Sequence, residues 1–143
     1  MKFSTYSFQD VTCSFQHPAV GAKSSTGAGI GTITVAMASD RTHHEPAADG
    51  KIMVSKLIAR NGTIAITMQQ TSELHKYLIK WYNYIDIAEP NQWALMTLTI
   101  NSKNLGDTTS CTGVSPQKLA DRPYQAQGQN ITWNLMAAEI TES

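Results

Sequence analysis

Apolar and polar positions alternate along much of this chain, with a period of two far more often than a helical one. In Gly31 to Ala38, Ile33, Val35 and Met37 alternate with Thr32, Thr34, Ala36 and Ala38, the pattern of a strand with one buried and one open face. Upstream, Tyr6 to Phe15 is rich in aromatic and β-branched residues and predicts a first strand. Between the two, His17 to Gly29 is mostly Gly, Ala and Ser with Pro18. That stretch has neither the periodicity nor the bulk of a packed element, and it predicts a mobile loop. From Ser39 to Lys51 the chain turns polar, with Asp40, Arg41, His43, His44, Glu45, Pro46 and the turn pair Asp49-Gly50, which predicts a long exposed loop.

Ile52 to Ala59 and Thr63 to Gln70 flank Asn61-Gly62, a pair suited to a type I′ turn because both central residues need positive φ. The expected hairpin places Met53, Leu57 and Ala59 on the core face with Ile64, Ile66 and Met68. Lys56, Arg60, Thr63, Thr67 and Gln69 then lie opposite. A helix follows, with Thr71 or Ser72 as N-cap, Glu73 in the first turn, and an apolar stripe of Leu74, Tyr77, Leu78, Trp81 and Ile85 that should cover a sheet. After the Glu89-Pro90-Asn91 break, Ala94 to Asn101 alternates again, with Met96, Leu98 and Ile100 on one side and Leu95, Thr97, Thr99 and Asn101 on the other. A turn at Leu105-Gly106-Asp107 leads to a strand over Thr109 to Val114, and a last strand runs from about Ile131 to Ile140. About seven strands and one helix give a mainly β fold, a barrel or sandwich with the helix on its flank.

The length of 143 residues fits one domain. Eleven basic residues balance eleven acidic ones, so there is no basic surplus to neutralise phosphates as strong DNA binding requires. No stretch approaches the ~20 apolar residues of a membrane span, and no apolar segment follows Met1-Lys2-Phe3, which predicts a soluble, unexported chain. Cys13 and Cys111 lie outside any paired metal-ligand spacing and read as small buried side chains.

Candidate chemistry dissolves on inspection. Gly27-Ala28-Gly29-Ile30-Gly31 has the wrong spacing for a phosphate loop and opens a β-branched strand rather than a helix. His43-His44-Glu45 offers three metal ligands, but adjacent side chains diverge in an extended chain, with no companion His or Cys nearby in sequence. The carboxylates are scattered, and no Gly-x-Ser-x-Gly elbow is present. Asn61-Gly62-Thr63 and Asn130-Ile131-Thr132 are sequons without an export signal. Tyr77, Trp81 and Tyr84 could stack bases, although their helical spacing suits a core stripe. No catalytic constellation, metal site or cofactor site emerges.

The order of Tyr6-Ser7-Phe8-Gln9-Asp10-Val11, Val35-Ala36-Met37-Ala38-Ser39-Asp40 and Ala48-Asp49-Gly50-Lys51-Ile52-Met53 resembles a family of contractile-tail bacteriophage tail tube proteins. The likeness continues through Asn61-Gly62, Thr71-Ser72, Cys111-Thr112-Gly113-Val114, Gln117-Lys118-Leu119-Ala120-Asp121 and Asn130-Ile131-Thr132-Trp133, nearly the whole chain. The resemblance implies the tail-tube fold, shared with the inner tube of type VI secretion systems, in which six subunits form a ring and rings stack into a conduit for DNA. It implies four strands per subunit lining the channel, and a loop reaching the adjacent ring.

On that reading Thr32, Thr34, Ala36, Lys56, Thr97 and Thr99 line the lumen, and Asp40, Arg41, His43, His44, Glu45 and Asp49 belong to the inter-ring loop. A solvent-facing sheet rich in Thr for its β propensity accounts for the same open-face residues. The implied partners are further copies of the chain, tail sheath, baseplate and tail terminator proteins, with DNA passing through unbound. Assembly would take place in the host bacterial cytoplasm. A terminator or baseplate tube protein of the same fold, a monomeric ligand-binding β-barrel and a hydrolase are the rival readings.

Overall fold

The computed structural model describes residues 10–26, 30–102 and 105–143. The expected strand positions 6–9 and the glycines of Gly27-Ala28-Gly29 lie outside them. Seven strands form one antiparallel sheet: β1 (Val11–His17), β2 (Gly21–Thr26), β3 (Ile30–Met37), β6 (Gly62–Gln69), β7 (Met96–Ser102), β8 (Asp107–Pro116) and β9 (Asn130–Glu142), in the order β2-β1-β7-β8-β9-β6-β3. The sheet curls into a half-barrel. A separate two-stranded sheet pairs β4 (Thr42–Pro46) with β5 (Ile52–Lys56).

The inner face of the large sheet is the core. Phe15, Ile64, Ile66, Met68, Met96, Leu98, Trp133 and Leu135 are fully buried there, by alternation along β1, β6, β7 and the first half of β9. Helix α1 (Glu73–Ile87) covers this face with Leu74, Leu78 and Trp81, also fully buried, while Tyr77 and Ile85 are half-buried at its margins. Ser72 is the N-cap. Its hydroxyl accepts from the Leu74 amide at 3.2 Å, and Glu73 adds a negative charge to the first turn, where the helix dipole favours one.

The segment expected as a loop after His17 is instead a short turn and a strand. Gly21 takes φ 95°, and β2 then pairs along β1 from His17 opposite Gly21 to Thr12 opposite Thr26. Ladder hydrogen bonds at a sheet edge hold small residues that no hydrophobic pattern would mark.

The expected hairpin does not form. Among the described residues no non-glycine has positive φ, and Gly62 is not one of the glycines that do. The type I′ turn at Asn61-Gly62 is therefore absent. Strand β6 pairs with β3, Ile66 opposite Ile33, and on its other edge with β9, Ile66 opposite Trp133, so neither edge is left for β5. Gly62 is a point of close approach instead: a Cβ there would lie against the Ala36 carbonyl, 2.7 Å from Ile140 Cδ1 and 3.1 Å from Met37 Cα. With the turn gone, Met53 and Leu57 are not core residues; they are 60% and 39% exposed.

A second glycine changes the sheet. Gly113 has φ 64°, and a Cβ there would fall 2.6 Å from the Ala138 Cβ. At this point the buried positions switch parity, from Cys111 to Val114 on β8 and from Ala137 to Ile140 on β9. The β7–β8 register shifts beside it, between Met96 and Leu98. This is a β-bulge that bends the sheet while keeping the apolar side inward.

Candidate assembly surfaces

The outer face of the large sheet carries rows of uncharged side chains running across the strands. One row is Ser24, Ser14, Thr99, Ser110 and Thr141, a hydroxyl on each of five neighbouring strands. Others are Thr32, Thr67 and Thr132; Thr34, Ala65 and Asn134; and Ala36, Thr63 and Met136. Hydroxyls bridge within rows: Ser14 and Ser24 at 3.2 Å, Thr67 and Thr132 at 3.0 Å. A charged pair on this face, Glu139 with Arg60 at 3.9 Å, contains both signs. Five of the six residues assigned to a lumen, Thr32, Thr34, Ala36, Thr97 and Thr99, thus share one face of one sheet, because they have the same parity in register-matched strands. Lys56 does not join them, since it stands on β5 opposite Thr42, in the other sheet.

The β4–β5 pair is an arm. Every residue from Asp40 to Asn61 is exposed, and the two strands pack extensively on no other strand or helix. The arm is nevertheless built. Five register pairs join the strands, from Thr42–Lys56 to Pro46–Ile52. At the base the Leu57 amide donates to Arg41 O at 2.7 Å, and Arg41 Nη1 donates to Leu57 O at 2.8 Å. At the tip Gly50 takes φ 87° and Asp49 Oδ1 accepts from the Lys51 amide. The six loop residues from Asp40 to Asp49 all lie in this arm. His43 and His44 alternate along β4, opposite Ser55 and Val54, so they project to opposite faces and do not form a joint ligand set.

Two histidines matter structurally and were not marked by the sequence pattern. His17 is buried: its Nδ1 accepts from the Ala19 amide at 3.0 Å, which leaves Nε2 to donate to Gln92 O at 3.1 Å. His75, on α1, is buried and its Nδ1 accepts from Trp133 Nε1 at 3.0 Å. Burial, and then the charge of Arg122, lower its pKa from the usual 6.5. The thiols of Cys13 and Cys111 are both pushed up to about 11, chiefly by burial.

A family model described as "Bacteriophage PhiTE tail tube protein" matches residues 3–143. The chain belongs to that family. It is a structural component of a tail. Comparison with curated proteins gives no match. Among solved structures, the sheath/tube terminator of an extracellular contractile injection system, PVC in its extended state, has a TM-score of 0.64 at 12% identity, covering 99% of this chain and 98% of that one. The tube terminating cap of the anti-feeding prophage has 0.62 at 10%, covering 100% and 93%. The PVC sheath-tube complex has 0.61 at 13%, covering 97% and 91%. At these identities the likeness is one of fold. A mainly β tail-tube-like fold with a single long helix, expected from the sequence, is the fold found.

Proposed function

We propose that this chain, as a single tail-tube-like domain, is the subunit of a tail tube, assembling into rings of six that stack into a conduit through which DNA leaves the capsid. The observation that carries this reading is the outer face of the large sheet, whose cross-strand rows are uncharged and whose Arg60–Glu139 pair balances in sign. A conduit for a polyanion should offer no fixed cations, because each neutralised phosphate releases counterions and adds affinity that would hold the DNA in place. Rows of Thr, Ser, Ala and Asn supply a wettable wall with no such affinity, and an ordinary solvated sheet more often carries mixed charge. The sheet's free edges, β2 and β3, leave backbone groups that neighbours in a closed ring would cover. Sheath, baseplate and terminator proteins would be the further partners, and the role is structural rather than enzymatic. Assembly of the subunit in the host cytoplasm belongs to the same reading.

The test is negative-stain electron microscopy of the purified protein at high micromolar concentration and neutral pH. Rings or tubes with an open bore are the expected result, and a strict monomer would overturn the reading. The likeness to terminator and cap structures favours one second reading, a single capping ring. Tubes that lengthen with protein concentration would exclude it.

A further inference from the structure

The far end of α1 carries an unusual surface. The last turn contains Asp86 and no basic residue, and Glu89 follows the C-cap Ala88. Carboxylates there oppose the negative end of the helix dipole, so the region is more negative than its residue count indicates. Neither carboxylate is in an ion pair among the described residues. Beside them Ile87 is 84% exposed and Trp93 is 48% exposed. The indole of Trp93 is not free to swing, since its N–H donates to Ala88 O at 3.0 Å.

Ile87 and Glu89 line an open depression of about 540 Å³ together with Ala19, Tyr84 and Gln92, the residue before Trp93. The His17 bonds to Ala19 and Gln92 hold two sides of it together. A rigid, half-exposed tryptophan beside a preformed depression is the kind of anchor that dominates protein interfaces.

The complementary surface is on the same chain. Residues 51–60 hold no carboxylate, and of their three cations Lys56 shares a face with the arm's apolar residues, while Lys51 has the opposite parity and Arg60 pairs with Glu139. Register places Ile52, Val54 and Lys56 on one face of the arm, with Pro46, His44 and Thr42 beside them, while Glu45 lies on the other face. Ile52 and Val54 are each 59% exposed. Neither surface covers the other within one chain, because the arm packs extensively on nothing but itself.

We infer that the basic, apolar face of the β4–β5 arm docks on the acidic, apolar end of α1 in a second copy of the chain, with Ile52 and Val54 against Ile87 and Trp93, and Lys56 near Glu89. The inference rests on the self-assembly proposed above and names the acceptor site for the arm. The contact is heterologous: one copy gives its arm and receives another at a different patch, so it propagates rather than closing as a two-fold dimer.

The experiment mixes two single-cysteine proteins, Val54→Cys and Ile87→Cys, each with Cys13 and Cys111 replaced by alanine, under mild oxidation. The expected result is a disulfide between the two proteins in excess of either self-pair. Lys56→Glu in the first protein or Glu89→Lys in the second should each lower the yield by roughly tenfold, and the two reversals together should restore it. Circular dichroism on each variant separates lost docking from lost folding, and a misfolded cysteine variant is replaced by its neighbour, Ile52→Cys or Trp93→Cys. Tubes from the parent with no cross-pair, or charge reversals without effect, overturn the acceptor site and leave the tube reading standing. A parent that stays monomeric overturns both.

Discussion

Trp133 and His75 meet in the core, the indole N–H of one donating to Nδ1 of the other at 3.0 Å. The bond joins α1 to β9 and needs an unprotonated Nδ1, so it ties the helix to the sheet in a pH-dependent way. The folded pKa of His75 is lowered by burial and by Arg122. The unfolded chain therefore binds the proton first, and the stability this histidine supports is complete above the unfolded value near 6.5 and declines as pH falls below it. Urea midpoints measured from pH 7.5 down to about 5.5 should fall in the parent, before most carboxylates titrate. They should fall less in His75→Asn, whose amide oxygen accepts the same bond without titrating. His75→Phe leaves the buried indole N–H unpaired and should cost about 1–3 kcal/mol at neutral pH.

The two glycine roles at Asn61-Gly62 make opposite forecasts. Since Gly62 is wedged between β3 and Ile140, Gly62→Ala should destabilise the subunit by about 1–3 kcal/mol. Asn61 is exposed with negative φ, and Asn61→Ala should change stability by less than about 0.5 kcal/mol. A type I′ turn would make both changes costly, so equal losses in thermal melts would restore the hairpin.

Shortening the arm should separate folding from assembly. Residues 42–56 are exposed and contribute nothing to the buried core, so replacing them with a short flexible linker should leave the core's thermal transition within a few degrees of the parent. Long tubes should disappear from electron micrographs. Tubes of normal length would show that the arm makes no inter-ring contact.

The outer face can be probed by thiol labelling. Thr34→Cys and Thr99→Cys in assembled tubes should react with a small reagent and resist one too bulky for the bore. Cys13 and Cys111 are buried with thiols near 11 and should contribute little background, and replacing them with alanine checks this. Equal labelling by both reagents would place the face on the outside of the tube.

What the sequence disclosed was facing, and what it hid was pairing. Ile64, Ile66 and Met68 point inward whichever strand lies beside them, because parity belongs to a strand alone. The partner of β6 depended on the meaning of Asn61-Gly62, and a glycine serves close approach as readily as it serves a turn. That single inference carried Leu57 into the core and Lys56 onto the wrong sheet. Strand β4 was invisible because an arm exposed on both faces has no buried side to set a period. His75 was missed for a related reason: a helical stripe is read from apolar residues, and nothing local showed that a histidine on its edge would meet an indole 58 residues away. The family resemblance supplied the architecture, but residue-level assignments still needed the register.

The isolation of the arm has a kinetic consequence. A two-stranded ribbon in water is marginal, so the arm of a free subunit should spend part of its time unpaired and lose that freedom on docking. Two free subunits meeting would order one arm for a single contact, with no other neighbour to offset that cost. In the proposed tube, a subunit arriving at an existing ring would meet many ordered neighbours at once. Growth on a template would then be fast and spontaneous initiation slow, a lag that would let a baseplate decide where and when polymerisation begins.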